Sequence, residues 1–230
     1  PTMPKNRITM ANLSGTAASM PVGAPGIEGP ERSKAYYIGL VALLACALEI
    51  TGFEFTFVFP AIPKIATNFQ TTQVSWVFTI LYIVGGLAVP ILGKLSDRVG
   101  KKKVLLGTMV SFTLGSALCA FTNSFALFLA GRGLQAIALA ASVIAFGLIR
   151  DLLPPRLVPL GLGGIAAGVG ISTLAGPLIG GALIDHFGFK SCFVFLFVYG
   201  LVVIALMALF LPETTLRIHQ HIDYLGAALL

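Results

Sequence analysis

The chain has 230 residues, of which 57% are hydrophobic and only 10% are charged. Soluble domains average about 45–50% apolar and about 25% charged residues, so this composition excludes a soluble globular protein and predicts a polytopic membrane protein. The net charge of +6 comes from basic residues that cluster between apolar runs, where they report orientation in the bilayer and not a nucleic-acid partner.

Residues 1–33 contain five prolines and no long apolar run, which predicts a disordered cytoplasmic tail. Residues 34–212 are expected to form an all-α unit of six transmembrane helices. The segment 213–230 is interpreted as a cytoplasmic linker and the start of a seventh helix, because DYLGAALL begins another apolar run. We therefore expect an N-terminal half whose partner is the C-terminal half of the same protein. The predicted helices are Tyr37–Phe59, Val74–Leu92, Val104–Phe121, Phe125–Leu148, Leu160–Ile184 and Cys192–Leu211.

Lysine and arginine residues outside these helices lie mainly on one side of the predicted membrane. Twelve belong to the side that carries both ends of the chain, against two on the opposite side. Because such residues concentrate in cytoplasmic loops, both termini of this fragment are predicted to be cytoplasmic, in a multi-pass protein of the cell membrane.

The first predicted helix carries two acids, Glu49 and Glu54. Five residues separate them, about 140° around a helix, so they cannot both point the same way, and at least one should line a cavity. Counted from the predicted outer end at Phe59, Glu54 lies about 7.5 Å deep and Glu49 about 15 Å deep.

The second connection, residues 93–105, reads GKLSDRVGKKKVL. Gly93 and Gly100 would permit a tight reversal between two helices. Asp97 is expected to accept hydrogen bonds from a helix N-terminus or from an arginine, which would hold the cytoplasmic side closed. The simpler alternative is a basic loop that only sets orientation.

Arg132 stands alone in a stretch free of other charges from residue 125 to residue 149. A cation at that depth costs about 2.5–3.5 kcal/mol on insertion scales, so it normally faces a partner or a water-filled cavity. It lies about 10 Å from the outer end, close to the depth of Glu54, which makes the two a candidate pair. Burial disfavours the carboxylate anion and a guanidinium favours it, and this balance suits a proton carrier. A static structural pair and an arginine that snorkels outward are the alternatives.

Small residues recur every four positions along the fifth predicted helix, and they predict a groove for close approach of another helix. They are Gly164, Gly168, Ser172, Gly176 and Gly180. The cysteines and histidines lack metal-binding spacing, and the intramembrane polar groups include no nucleophile–base pair. We therefore expect no metal site, no cofactor and no enzymatic activity.

The second connection resembles the helix 2–3 loop of the major facilitator superfamily, with the pattern G-x-L-x-D-R-x-G-R/K-K. The matching residues are Gly93, Leu95, Asp97, Arg98, Gly100, Lys101 and Lys102. The resemblance implies that this loop controls the exchange between outward-open and inward-open states. It also implies a fold of inverted three-plus-three helix repeats with sites near the repeat interface.

Three further segments resemble drug:proton antiporters of that superfamily. On helix one the pattern D-x-T-x-V-x-x-A-x-P-x-I matches, with glutamate for aspartate, at Glu54, Thr56, Val58, Ala61, Pro63 and Ile65; helix two carries the signature residues Trp76, Thr79 and Tyr82. On helix five the signature G-P-x-x-G-G matches Gly176, Pro177, Gly180 and Gly181, with Gly163 at the upstream glycine. Apart from these three segments, helix four resembles a second pattern of the superfamily, R-x-x-Q-G, at Arg132 and Gln135, but Ala136 replaces the last glycine.

These resemblances imply a proton-coupled exporter of drug-like or amphipathic small molecules that works by alternating access. Glu54 or Glu49 would take the proton and Arg132 would respond to it. The expected substrate cavity is lined by Thr56, Phe57, Thr79, Tyr82 and Gln135. The alternatives are an importer or exporter of a metabolite with the same fold, and a six-helix remnant that transports nothing.

Overall fold

A computed structural model of the protein describes residues 33–213. The predicted tail and the predicted start of a seventh helix therefore lie almost entirely outside the described residues. Within them the fold is all-helical, and six helices are long and apolar enough to cross a membrane. The helices are α1 (Lys34–Phe69), α2 (Trp76–Val99), α3 (Lys101–Phe121), α4 (Phe125–Leu152), α5 (Val158–Phe187) and α6 (Lys190–Phe210).

Helix α1 is longer than predicted, and its predicted end at Phe59 is wrong. It continues through Pro60 and Pro63 to Phe69. Proline lacks an amide donor but has a helical φ, so a helix anchored by other contacts can continue through it. Lys64 supplies such a contact, because its Nζ donates to the carbonyl of Ile184 (3.0 Å) at the end of α5. Depths counted from Phe59 therefore do not measure the position of a residue within α1.

The reversal between α2 and α3 is made by one residue. Gly100 has a φ of 120°, a conformation that favours glycine, and α3 begins at the next residue. Gly93 lies inside α2, so the prediction that it shares in the reversal is wrong. A Cβ on Gly93 would stand 3.6 Å from Val143 of α4, an ordinary contact.

Helix α4 contains a short 3-10 segment, Ile137–Ala140, between two α-helical parts, Phe125–Ala136 and Ala141–Leu152. Its alanines 138 and 140 are fully buried, and the segment contacts α2 and α3. Small side chains let these helices approach closely. Just before this segment, α4 presents Arg132 and Gln135 to the interior of the bundle.

The small-residue groove of α5 receives α1, as the spacing predicted. A Cβ on Gly164 would stand 2.8 Å from Val41, and one on Gly180 would stand 2.9 Å from the ring of Phe57. A Cβ on Gly176 would overlap Thr56. Because these separations are shorter than carbon–carbon contact, the absence of side chains on α5 is what lets the two helices pack at this distance.

Candidate functional site

The buried centre of the bundle is an ion pair between α4 and α1. Nη1 of Arg132 lies 2.8 Å from Oε1 of Glu54, and both side chains are 0% exposed. Arg132 is among the largest fully buried side chains of the described residues. Charged residues are almost never fully buried unless they are paired, so the position of each charge depends on the other.

Arg132 also binds α2 and its own helix. Nη1 donates to Oε1 of Gln135 (2.8 Å), and Nε donates to the carbonyl of Val77 (3.3 Å). Gln135 in turn donates from Nε2 to the hydroxyl of Ser116 on α3 (2.8 Å). One network therefore joins α1, α2, α3 and α4.

Ser116 was not predicted as part of this site. The only feature of the sequence that could have indicated Ser116 is a hydroxyl residue within a largely apolar helix. That signal does not distinguish Ser116 from Ser111 or Thr113 on the same helix, and only the packing of α3 against α4 selects it.

The Arg132–Glu54 pair uses only part of its hydrogen-bonding capacity. Oε2 of Glu54 and Nη2 of Arg132 are buried and have no hydrogen-bond partner among the described residues. Unpaired buried groups oppose the stability of the pair, since each keeps a desolvation cost that no bond offsets. Protonation of Glu54 would remove its charge, while Arg132 would retain the acceptors on Gln135 and Val77.

Glu49 does not take part in this network. Its side chain is 8% exposed, and both carboxyl oxygens are buried without a hydrogen-bond partner in the described part of the chain. Its carboxyl faces α5 beside Gly168. The structure thus places Glu54, and not Glu49, against Arg132.

The five residues expected to line a substrate cavity do not share one surface. Thr79 and Tyr82 are exposed on α2, and the Tyr82 ring lies 5.9 Å from that of Phe55. Thr56 is partly buried and faces Gly176 of α5. Phe57 and Gln135 are fully buried. The Phe57 ring packs against the Phe195 ring of α6, with 5.3 Å between the ring centroids.

A second charged cluster joins the end of α2, the start of α3 and the end of α4, on the side predicted to be cytoplasmic. Nζ of Lys101 lies 2.6 Å from Oδ2 of Asp151 and 3.3 Å from Oδ1 of Asp97. The cluster borders a cavity of about 440 Å³ that Gly93, Ser96, Arg150 and other residues also line. The partner that the structure gives Asp97 is thus Lys101. Asp151 was not predicted as part of this cluster. It follows Arg150 in the last turn of α4, and an acid beside a base is common at the end of a helix.

The geometry of this cluster predicts which aspartate contributes more to stability. Asp151 is 17% exposed and close to Lys101, whereas Asp97 is 45% exposed and more distant. Exposed pairs contribute little, while charge-assisted bonds in sheltered positions contribute more. We expect Asp151→Asn to lower the free energy of unfolding by about 1 kcal/mol and Asp97→Asn by less than about 0.5 kcal/mol. Thermal unfolding of the two variants in one detergent measures both, and the reverse order would contradict the prediction.

Among the described residues no group of histidine, cysteine, aspartate or glutamate side chains has the arrangement of a metal site.

The glycines of the α5 motif do not all face the same neighbour. Gly176 and Gly180 face α1, whereas Cβ atoms on Gly163 and Gly181 would meet no atom within 4 Å. The motif therefore contributes to packing through two of its glycines.

Comparison with known proteins gives a family match over most of the chain. The model of the Major Facilitator Superfamily matches residues 44–223. An uncharacterised MFS-type transporter of Mycobacterium tuberculosis is 33% identical over 74% of this chain and 25% of its own length. The riboflavin transporter RibZ of Clostridioides difficile is 32% identical over 67% of this chain and 34% of its own. A multidrug resistance protein B homologue of M. tuberculosis is 28% identical over 87% and 38%.

Two solved structures share the fold. The human organic anion transporter MFSD10 (TETRAN) superposes with a TM-score of 0.70 at 19% identity, over 84% of this chain and 52% of that one. A bacterial homologue of the human lysosomal transporter Spinster gives a TM-score of 0.70 at 19% identity, over 85% and 47%. The chain thus spans about half of these structures and between a quarter and two fifths of the curated relatives named above.

Proposed function

The chain belongs to the Major Facilitator Superfamily, and from this premise we propose that it is the N-terminal half of a proton-coupled exporter of drug-like or amphipathic small molecules. Its relatives are transporters and its fold is that of the six-helix N-terminal half, so the chain is part of a multi-pass membrane transporter and not an enzyme. The observation that carries the finer proposal is the fully buried Arg132–Glu54 pair.

In the proposed cycle a proton from outside reaches Glu54 and neutralises it. The ion pair is then replaced by weaker bonds, and Arg132 keeps its contacts with Gln135 and the Val77 carbonyl. Because the pair joins α1 to α4, which begin the two three-helix repeats, its loss changes how strongly the repeats are held together. Substrate leaves outward in exchange for the proton.

The gating role is proposed for Gly93, Asp97 and Arg98 in the last turns of α2, for Gly100 between the helices, and for Lys101 at the start of α3. Lys101 supports it, because it links the α2–α3 reversal to Asp151 at the end of α4. Breaking that link would free the last turns of α4, the helix that carries Arg132 nearer its other end. The orientation proposed from the lysine and arginine distribution places this cluster on the cytoplasmic side of the cell membrane.

The exposed aromatic side chains of α1 and α2 support an adaptable apolar wall for the substrate. Tyr82 is 60% exposed and Phe59 is 71% exposed, and the Phe59 ring lies 5.7 Å from Phe78. Aromatic faces attract organic cations, so lipophilic cations are the favoured class. Thr79 adds a hydroxyl on the same helix as Tyr82, and we retain both as substrate contacts.

A second candidate is transport of a metabolite, which the relative RibZ favours, since RibZ is a riboflavin transporter. This candidate needs no change in the fold or in the ion pair. The two candidates differ in substrate and in direction.

Transport by vesicles that contain the complete transporter separates the candidates. We expect inverted vesicles with an acidic interior to accumulate the lipophilic cation ethidium, and those with Arg132→Ala to accumulate none above protein-free vesicles. Riboflavin uptake without ethidium uptake would favour the metabolite candidate. Accumulation of ethidium only in right-side-out vesicles would contradict export.

A further inference from the structure

Glu49 lies at the interface of α1 with α5, away from the Arg132 network. Both of its carboxyl oxygens are buried, and neither has a hydrogen-bond partner within residues 33–213. The carboxyl also forms no ion pair there, in contrast to Glu54. A buried acid that forms neither a hydrogen bond nor an ion pair is not explained by the packing of the bundle.

The carboxyl occupies space that the α5 groove leaves open. Oε1 of Glu49 lies 2.6 Å from the place where a Cβ on Gly168 would stand, and the methyl group of Ala45 lies 3.3 Å from the same place. A side chain at position 168 would therefore displace the carboxyl. Glycine at this position makes room for an acid as well as for a close helix contact.

The polar groups that face Glu49 donate their protons elsewhere. On α5, the hydroxyl of Ser172 lies beside the carboxyl and donates to the carbonyl of Val169 (3.0 Å). On α6, the hydroxyl of Tyr199 donates to the carbonyl of Cys46 on α1 (3.0 Å). The neutral residue Ser172 thus lies beside the carboxyl, but neither carboxyl oxygen has a hydrogen-bond partner and no cation pairs with it among the described residues.

An ionised carboxylate is strongly disfavoured where it is buried and unpaired, whereas a protonated carboxyl is not. We propose that Glu49 is a second proton-binding site, which holds its proton while α1 and α5 are in contact and releases it when the groove opens to water. By linkage, the bound proton and the closed groove stabilise each other.

This site differs from the Arg132 site in its resting state. In the same conformation Glu54 is an ionised partner of Arg132 and Glu49 is a protonated acid. The proposal does not depend on export, because it requires only the α1–α5 contact. If α1 separates from α5 during the proposed cycle, the number of protons bound to the protein changes.

Infrared spectroscopy of the complete transporter in lipid vesicles near pH 7 tests the proposal. We expect the difference spectrum between wild type and Glu49→Gln to contain the carbonyl band of a protonated carboxyl. The difference spectrum for Glu54→Gln should instead contain carboxylate bands. Carboxylate bands in the Glu49→Gln difference spectrum would overturn the proposal.

A matched pair of glycine substitutions tests the role of the groove. Gly168→Ala places a methyl group against the carboxyl, whereas a Cβ on Gly170 of the same helix would meet no atom within 4 Å. We expect Gly168→Ala to remove or shift the Glu49 band and Gly170→Ala to leave it unchanged. An unchanged band in both variants would overturn the link to the groove.

A chemical probe of the unmodified protein covers the case in which a variant does not fold. Dicyclohexylcarbodiimide enters apolar sites and reacts with protonated carboxyls, so it should modify Glu49 and spare Glu54. Modification of Glu54 alone would overturn the proposal. The two proposals can fail separately. If the protonated carboxyl band of Glu49 is present but the Glu54→Gln variant still couples proton flow to transport, the proposed role of Glu54 is wrong and the proposal for Glu49 is unaffected.

Discussion

Replacing Arg132 with methionine is expected to lower the free energy of unfolding by about 3–5 kcal/mol, because it leaves the carboxylate of Glu54 buried without its counter-charge. Both side chains are 0% exposed, so water cannot replace the lost partner unless the bundle opens. Gln135 would lose the Nη1 donor as well. This is the largest effect that we expect from a single substitution in the described part of the chain.

The double variant Arg132→Met, Glu54→Leu separates charge from packing. Replacing a buried ion pair by apolar residues of similar volume is often neutral, so the double variant should recover most of the stability lost in Arg132→Met. It should nevertheless fail to couple transport to protons. Equal instability of the single and double variants would show that the buried charge is not the cause.

A thiol-reactive dye measures unfolding for these variants. Cys119 and Cys192 are buried, whereas Cys46 is exposed, so the first two react only when the bundle opens. The rise in labelling with temperature then reports the transition. Because Cys119 lies on α3 beside Gln135, it reports directly on the helices that the Arg132 network joins.

Replacing Gly180 with alanine is expected to lower the free energy of unfolding by about 1–3 kcal/mol through overpacking. The new methyl group would stand 2.9 Å from Cδ1 and 3.2 Å from Cα of Phe57, and a backbone atom cannot move aside as a flexible side chain can. Alanine is a better helix former than glycine by about 1 kcal/mol, so the expected net loss is the cost of the clash minus this gain.

The neighbouring residue provides the control. A Cβ on Gly181 would meet no atom within 4 Å, so Gly181→Ala should be neutral or slightly stabilising by the same dye measurement. Similar effects of the two substitutions would contradict the assignment of Gly180, and not Gly181, to the α1–α5 contact.

Much of the fold was predictable because hydrophobic length and small-residue spacing act locally along the chain. All six helices and the groove of α5 follow from such patterns. A buried charge also restricts its own surroundings, so Arg132 and an acid at similar height were expected to meet. The end of α1 was not predictable in this way. The helix continues through Pro60 and Pro63 to Phe69, and the contact of Lys64 with the end of α5 belongs to tertiary structure.

The unpredicted parts of the site depend on which faces of the helices meet. Ser116 is one of several hydroxyl residues on α3, and Asp151 is one of several charges near a helix end. Phe57 and Gln135 have side chains typical of a substrate cavity, yet the rotation of α1 and α4 buries them. Helical periodicity relates residues on one helix to each other but does not fix how that helix is rotated toward its neighbours.

Proton release from the purified complete transporter, measured in weakly buffered solution when substrate is added, tests most directly whether an acid and an arginine buried together drive transport. We expect release from the wild type, clearly less from Glu54→Gln, and none from the triple variant Arg132→Ala, Glu54→Gln, Glu49→Gln. Equal release from the wild type and the triple variant would show that these side chains do not carry the exchanged proton.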